Sequence, residues 1–228
     1  MKKIKRSKAA LMMALAISFC LLIAGCGHAN VSKAIPGEEE SGTTAEETDT
    51  TIEQETEESN EPGKEPSDMT KPVIEIVMEN GGTIEVELDQ EAAPETVANF
   101  LALVDEGFYD GLTFHRIIEN FMIQGGCPLG TGTGGSDKKV TGEFAANGFD
   151  NPISHKRGVI SMARSQDMNS ASCQFFITHG NSEFLDGEYA AFGVVTSGMD
   201  VVDEIATVPT GANDKPDSPV VIKTIRRK

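Results

Sequence analysis

The chain has 228 residues, with 19 Lys and Arg against 36 Asp and Glu, for a formal net charge of −17. That length fits one domain of ordinary size plus extensions, and the acidic balance argues against a nucleic-acid binder, which needs a basic face to neutralise phosphates. Hydrophobic residues make up 39%, a little low for a compact globule, and the deficit is concentrated in one segment. Residues 1–25 hold five bases and no acid, residues 26–72 hold 13 acids and 3 bases, and residues 73–228 hold 23 acids and 11 bases. No aromatic residue occurs between Phe19 and Phe100.

The basic stretch Met1–Lys8 precedes a 16-residue apolar run, Ala9–Ala24. The run is shorter than the roughly 20 residues that span a bilayer, and basic-then-apolar order marks an export signal. An N-terminal anchor that stays attached is the alternative. Ile23-Ala24-Gly25-Cys26 resembles a bacterial lipobox: an aliphatic residue, two small residues, then Cys. The resemblance implies that residues 1–25 are a lipoprotein signal peptide and that Cys26 is the lipidation site. The mature chain is then extracytoplasmic and anchored to the bacterial cell membrane. Loss of five bases takes it to −22, so anionic lipid repels it and the lipid chain must make the attachment.

Residues 26–71 contain the anchor Cys followed by Glu, Thr, Ser, Gly and Pro with few apolar side chains. Such a segment cannot offset its ordering entropy, so it is expected to be a disordered acidic tether, with an end-to-end distance of about 35–40 Å. No EF-hand spacing is present, which favours a spacer over a calcium site. Of four cysteines, Cys20 lies in the signal and Cys26 at the lipid site, leaving Cys127 and Cys173. There is no CxxC pair and hence no thioredoxin-like or zinc-knuckle signature. A Cys127–Cys173 disulfide suits an export compartment, and spacing leaves it open.

Residues 72–228 are the expected folded domain. Val73–Met78 and Thr83–Leu88 alternate apolar and polar residues around Asn80-Gly81-Gly82, a hairpin signal. Pro94 opens a helix with Val97, Phe100, Leu101 and Val104 on one face, ended by Gly107. Short apolar runs follow: TFHRII, FMIQ, GVISMA, QFFITH and AAFGVV. A second helix spans Met199–Ala206, and VVIKTIRR is a last strand. Many short strands with two helices suggest a barrel or sandwich.

The stretch Tyr109–Gly125, YDGLTFHRIIENFMIQG, resembles the signature of the cyclophilin family of peptidyl-prolyl isomerases. Five further blocks agree in order: Gly132–Gly135, Gly158–Ala163, Ser172–Ile177, Phe184–Gly187 and Ala191–Val195. The resemblance implies an all-β fold with two capping helices, a closed eight-stranded antiparallel barrel. It also implies an isomerase acting on proline-containing polypeptides. Strand alternation independently predicts that Phe114, Arg116 and Ile118 share one face, as do Met122 and Gln124, and Gln174 and Phe176. Arg and Gln converging with Phe and Met describe an apolar pocket with a few orienting donors.

By the resemblance, Arg116 is the catalytic residue. Phe121, Met122, Phe176 and Leu185 line a proline pocket, Gln124 holds Arg116 and the substrate backbone, and Ala163 and Gln174 border the groove. His115 is a secondary site residue, since the reaction needs no base. Phe184 stands where many family members have Trp, and Tyr189 where they have His. Both are counted in the groove, and cyclosporin-type cyclic peptides are expected to bind weakly. Arg164, where Asn is common, adds positive charge to the rim and favours acidic substrates. A proline-binding chaperone or adhesin module is the competing function. Its weakness is that such a module has no need to keep Arg116.

No cofactor and no metal are expected: the four His show no ligand spacing. Gly130–Gly135 satisfies GxGxxG literally but lacks the following helix that dinucleotide binding requires. Beyond proline-containing polypeptides and the membrane, no partner is expected, and the chain reads as a monomer.

Overall fold

The computed structural model describes residues 71–228, all within one compact unit. The signal segment, Cys26 and all of the tether but Lys71 lie outside the described residues. The elements in chain order are β1 (Val73–Met78), β2 (Thr83–Leu88), α1 (Pro94–Asp105), β3 (Thr113–Phe114), β4 (Arg116–Ile118), β5 (Met122–Gly125), β6 (Val159–Met162), β7 (Phe175–Thr178), β8 (Ala191–Ser197), α2 (Met199–Ala206) and β9 (Val220–Arg227).

The first hairpin follows directly from the alternation in its sequence. Ile74, Ile76 and Met78 of β1, and Ile84, Val86 and Leu88 of β2, point inward and are buried. Their polar neighbours remain partly exposed. α1 has Pro at its first turn but no local side-chain cap. Its free N–H groups are satisfied from a distance instead. The buried Glu143 carboxylate accepts from the Glu95 N–H at 2.9 Å and the Thr96 N–H at 2.8 Å, which also places negative charge at the positive end of the helix dipole. Phe100 on α1 then packs against Tyr109, Phe175 and Phe192 in the barrel, with ring centroids 5.1–5.5 Å apart.

All strand pairs are antiparallel, in the order β3-β9-β1-β2-β8-β6-β7-β5-β4. The expected count was eight strands, and the difference lies in TFHRII. That run divides at His115 into β3, which pairs with β9, and β4, which pairs with β5. The two ends of the sheet are therefore joined by one covalent step of chain, which closes the barrel. The step has a cost in register. Phe114 and Ile117 both face the core, at 0% and 1% exposure, so alternation slips by one residue at His115. Phe114 consequently does not share a face with Arg116 and Ile118, contrary to the simple period-2 expectation.

β5, β6 and β7 have two buried faces. Ile123, Ile160, Phe175 and Ile177 fill the barrel interior. Met122 and Phe176, on the opposite face, belong to a separate apolar cluster with Leu185. The outer cluster is where the candidate site forms.

Candidate active site

Strand register brings the site together. Across neighbouring strands, Arg116 on β4 lies opposite Gln124 on β5, Gln124 opposite Phe176 on β7, and Phe176 opposite Ser161 on β6. Met122 stands one step along, opposite Ile118. Phe121, Ala163 and Tyr189 pack on the Met122–Phe176–Leu185 cluster. These side chains, with Arg116, Gln124 and Arg164, line a slot of about 150 Å³. That volume is close to the share of five liquid waters, enough for one small apolar ring. Tyr189 meets Phe176 edge-on at 5.9 Å. Phe184, 72% exposed, lies against Phe121 at 5.5 Å and extends the wall outward.

The polar groups are fixed by partners far away in sequence. The Arg116 Nε–H donates to Asp214 Oδ2 at 3.3 Å. Asp214 sits in a 3₁₀ turn, Ala212–Asp214, in which Asn213 and Asp214 have φ of 61° and 58°. Two successive left-handed residues without Gly are costly, and the turn they make aims the carboxylate at Arg116. Gln124 does not hold Arg116 as expected. Its amide donates to the Gln174 Oε1 at 3.0 Å, and Gln174 donates to the carbonyls of Gly132 and Gly134. The two glutamines thus tie the strand floor to the glycine turn.

The family model for cyclophilin type peptidyl-prolyl cis-trans isomerases matches residues 73–227. The chain belongs to this family. Its cyclophilin domain is 49% identical over 125 residues to peptidyl-prolyl cis-trans isomerase B of Bacillus subtilis, covering 55% of this chain and 84% of the relative. It is 44% identical over 140 residues to a peptidyl-prolyl cis-trans isomerase of Helicobacter pylori, covering 60% and 83%. A Cryptosporidium parvum cyclophilin crystallised in the presence of the dipeptide Ala-Pro has a TM-score of 0.63 at 32% identity, covering 68% of this chain and 98% of its own. The chain is accordingly an isomerase acting on proline-containing polypeptides.

Beneath the cyclophilin slot lies a network that sequence reasoning missed. The His155 ring stacks on Phe176 at 6.1 Å. Its Nδ1 is 2.8 Å from Asp186 Oδ1 and its Nε2 is 3.0 Å from Ser161 Oγ. The Ser-His-Asp line has the connectivity of a hydrolase triad. Ser161 and His155 are both 0% exposed, so no substrate carbonyl can reach the hydroxyl, and the array serves as a rigid floor for Phe176. Burial lowers the His155 pKa, with Asp186 pulling partly the other way. Burial also opposes ionisation of Asp186, but hydrogen bonds from His155 and Ser154 prevail and hold its pKa below the usual value.

His115 is buried, and neither ring nitrogen has a hydrogen-bond partner. Burial first, and the neighbouring Arg116 charge second among the lowering causes, push its pKa down. Burial thus favours the neutral imidazole at this point. Arg164 is also unlike its expectation. Its guanidinium lies between the Phe144 and Tyr189 rings, at 5.0 and 4.8 Å, and donates to the Glu188 carbonyl and carboxylate. It therefore braces Tyr189 and is not a free rim charge. Cys127 and Cys173 are both free and buried, and the Cys127 Sγ accepts from the Gly132 and Gly134 N–H groups at 3.3 Å each.

Nothing local in the sequence marks Asp214 as an Arg116 partner, since 98 residues separate them. The nearest signal was a polar turn, Gly211-Ala212-Asn213-Asp214-Lys215.

Proposed function

We propose that the chain is a lipid-anchored, extracytoplasmic isomerase that speeds the folding of exported proteins, with Arg116 as the catalytic group. The location rests on the basic–apolar N-terminus and the Ile23–Cys26 lipobox. The mechanism rests on one observation: a permanently charged, half-buried guanidinium at the lip of an apolar slot.

Rotation about the prolyl amide is opposed by about 18–20 kcal/mol because the C–N bond has double-bond character. No bond breaks, so no nucleophile or acid–base pair is needed. The slot formed by Phe121, Met122 and Phe176 holds the proline ring. As the amide twists, its nitrogen pyramidalises and recovers a lone pair. Arg116 donates to that lone pair and stabilises the twisted state over both planar ones. Its planar fork and fixed charge suit this better than a Lys ammonium would. A ten-thousandfold acceleration needs about 5.5 kcal/mol of preferential stabilisation, within the range of one preorganised charged donor plus fixation of the flanking peptide.

Arg116→Ala is expected to lower kcat/KM at least 100-fold, and Arg116→Lys at least tenfold, with circular dichroism and Tm unchanged. A folded Arg116→Ala variant within twofold of wild type would refute the mechanism. A bell-shaped rate profile between pH 6 and 8 would refute it as well, because Arg does not titrate there.

A further inference from the structure

The proline slot opens on both sides into larger hollows. One, of about 320 Å³, is entered past Gln124, Ala163 and Arg164 and is lined by the glycine turn, several serines and Lys139. It has no acidic side chain in its walls. The other, of about 570 Å³, is entered past Arg116 and Gln124 and is lined by Thr131, Thr133, His115, Asp214 and Lys215. Its one carboxylate, Asp214, is engaged by Arg116.

We propose that this groove selects prolines flanked by acidic residues, through Lys139 at one end and Lys215 at the other. The inference deepens the proline-slot reading above and rests on it. Residues 73–228 carry 23 acids against 11 bases, so free positive charge is scarce on this domain. Among the described residues, five lysines have no salt-bridge partner: Lys138, Lys139, Lys156, Lys215 and Lys223. Two of the five line the hollows that adjoin the slot. The other cations bordering the groove, Arg116 and Arg164, are each already paired with a carboxylate.

The walls add matching polar chemistry at one end only. In the first hollow, the serine hydroxyls already donate to neighbouring protein groups, which leaves Lys139 as the group that meets an acidic flank. In the second, the Thr131 and Thr133 hydroxyls lie 2.8 Å apart, so one of their two hydrogens is free to donate to a carboxylate in the hollow that Lys215 also lines. Acidic flanks thus find a lysine at either end, whereas basic flanks meet like charge. Charge complementarity of this kind sets specificity more than raw affinity.

The test uses the full chain and paired proline peptides with Glu or Gln at each of two positions before and after the Xaa-Pro unit. On each side, at least one position is expected to give a Glu/Gln ratio in kcat/KM of about two to five, the range of an exposed ion pair. Lys139→Glu should take the ratio on one side below one, and Lys215→Glu the ratio on the other. Lys223→Glu makes the same change in net charge away from the groove and should leave both ratios standing. The proposal is overturned if Glu never exceeds Gln, if the ratios survive charge reversal, or if Lys223→Glu lowers them equally. The Gln peptides report the slot itself, so failure of the slot gives a different result from failure of the charge selection.

Discussion

Replacing Asp214 by Gly tests whether the carboxylate at this turn positions Arg116, the residue proposed above as the catalytic group. The substitution removes the carboxylate and leaves at 214 a residue suited to the backbone there. With φ at 58°, an L side chain costs roughly 1–2 kcal/mol that Gly avoids. The lost contact is a 3.3 Å ion pair whose side chains are 40% and 45% exposed, and solvent screening limits such a pair to about 0.2–1 kcal/mol. The two effects oppose each other in stability. Tm is therefore expected to hold or rise by a few degrees, at about 2–4 °C per kcal/mol for a domain of this size. Activity has no such compensation. A freed Arg regains part of its roughly 2 kcal/mol of rotamer entropy, and a positioning loss of about 0.2–1 kcal/mol lowers the rate about 1.4- to fivefold. A coupled proline-isomerisation assay should place that loss in kcat. Asp214→Asn keeps an acceptor and tolerates the left-handed backbone, so it should recover part of the rate. An Asp214→Gly enzyme as fast as wild type, or faster, would refute the positioning role.

Two further outcomes follow from burial and from the N-terminus. His115 and His155 both have pKa values lowered chiefly by burial, so the unfolded chain binds more protons than the native one below the unfolded value of about 6.5. Stability is thus fully present above about pH 6.5 and is lost as pH falls from there toward the folded-state values; urea midpoints should be lower at pH 5.5 than at 7.5, and equal midpoints would contradict this. Cys26→Ser should leave an uncleaved precursor that takes up no labelled fatty acid, and labelling that persists would refute the lipobox.

Much of the fold was legible because its strands declare themselves locally. Val73–Met78 and Thr83–Leu88 alternate cleanly, and the observed strands keep those bounds. Met199–Ala206 likewise forms the second helix. The apolar wall was legible in a different way, from the family resemblance, since Met122 and Phe176 sit inside the apolar runs Phe121–Ile123 and Phe175–Ile177, which do not alternate. The break at His115 was not, because it depends on where β9 and β5 lie, a matter of closure and not of local pattern. The polar scaffolding was hidden for a related reason. Arg116–Asp214, Gln124–Gln174 and His155–Asp186 join residues 31–98 apart, and no periodicity links such pairs. Arg164 misled because composition reports its charge but not the Phe144 and Tyr189 rings that enclose it.

The single covalent step at His115 also governs when the enzyme becomes an enzyme. β3 has only β9 as its ladder neighbour, and β9 follows every other described strand in chain order. Until Val220–Arg227 arrives, β1 also lacks one of its two partners, and the seam that carries Arg116 has nothing to close against. Such end-to-end pairing gives slow, late folding. A chain emerging N-terminus first therefore has no finished groove until β9 is out, and loss of that eight-residue strand would silence a site more than 100 residues upstream.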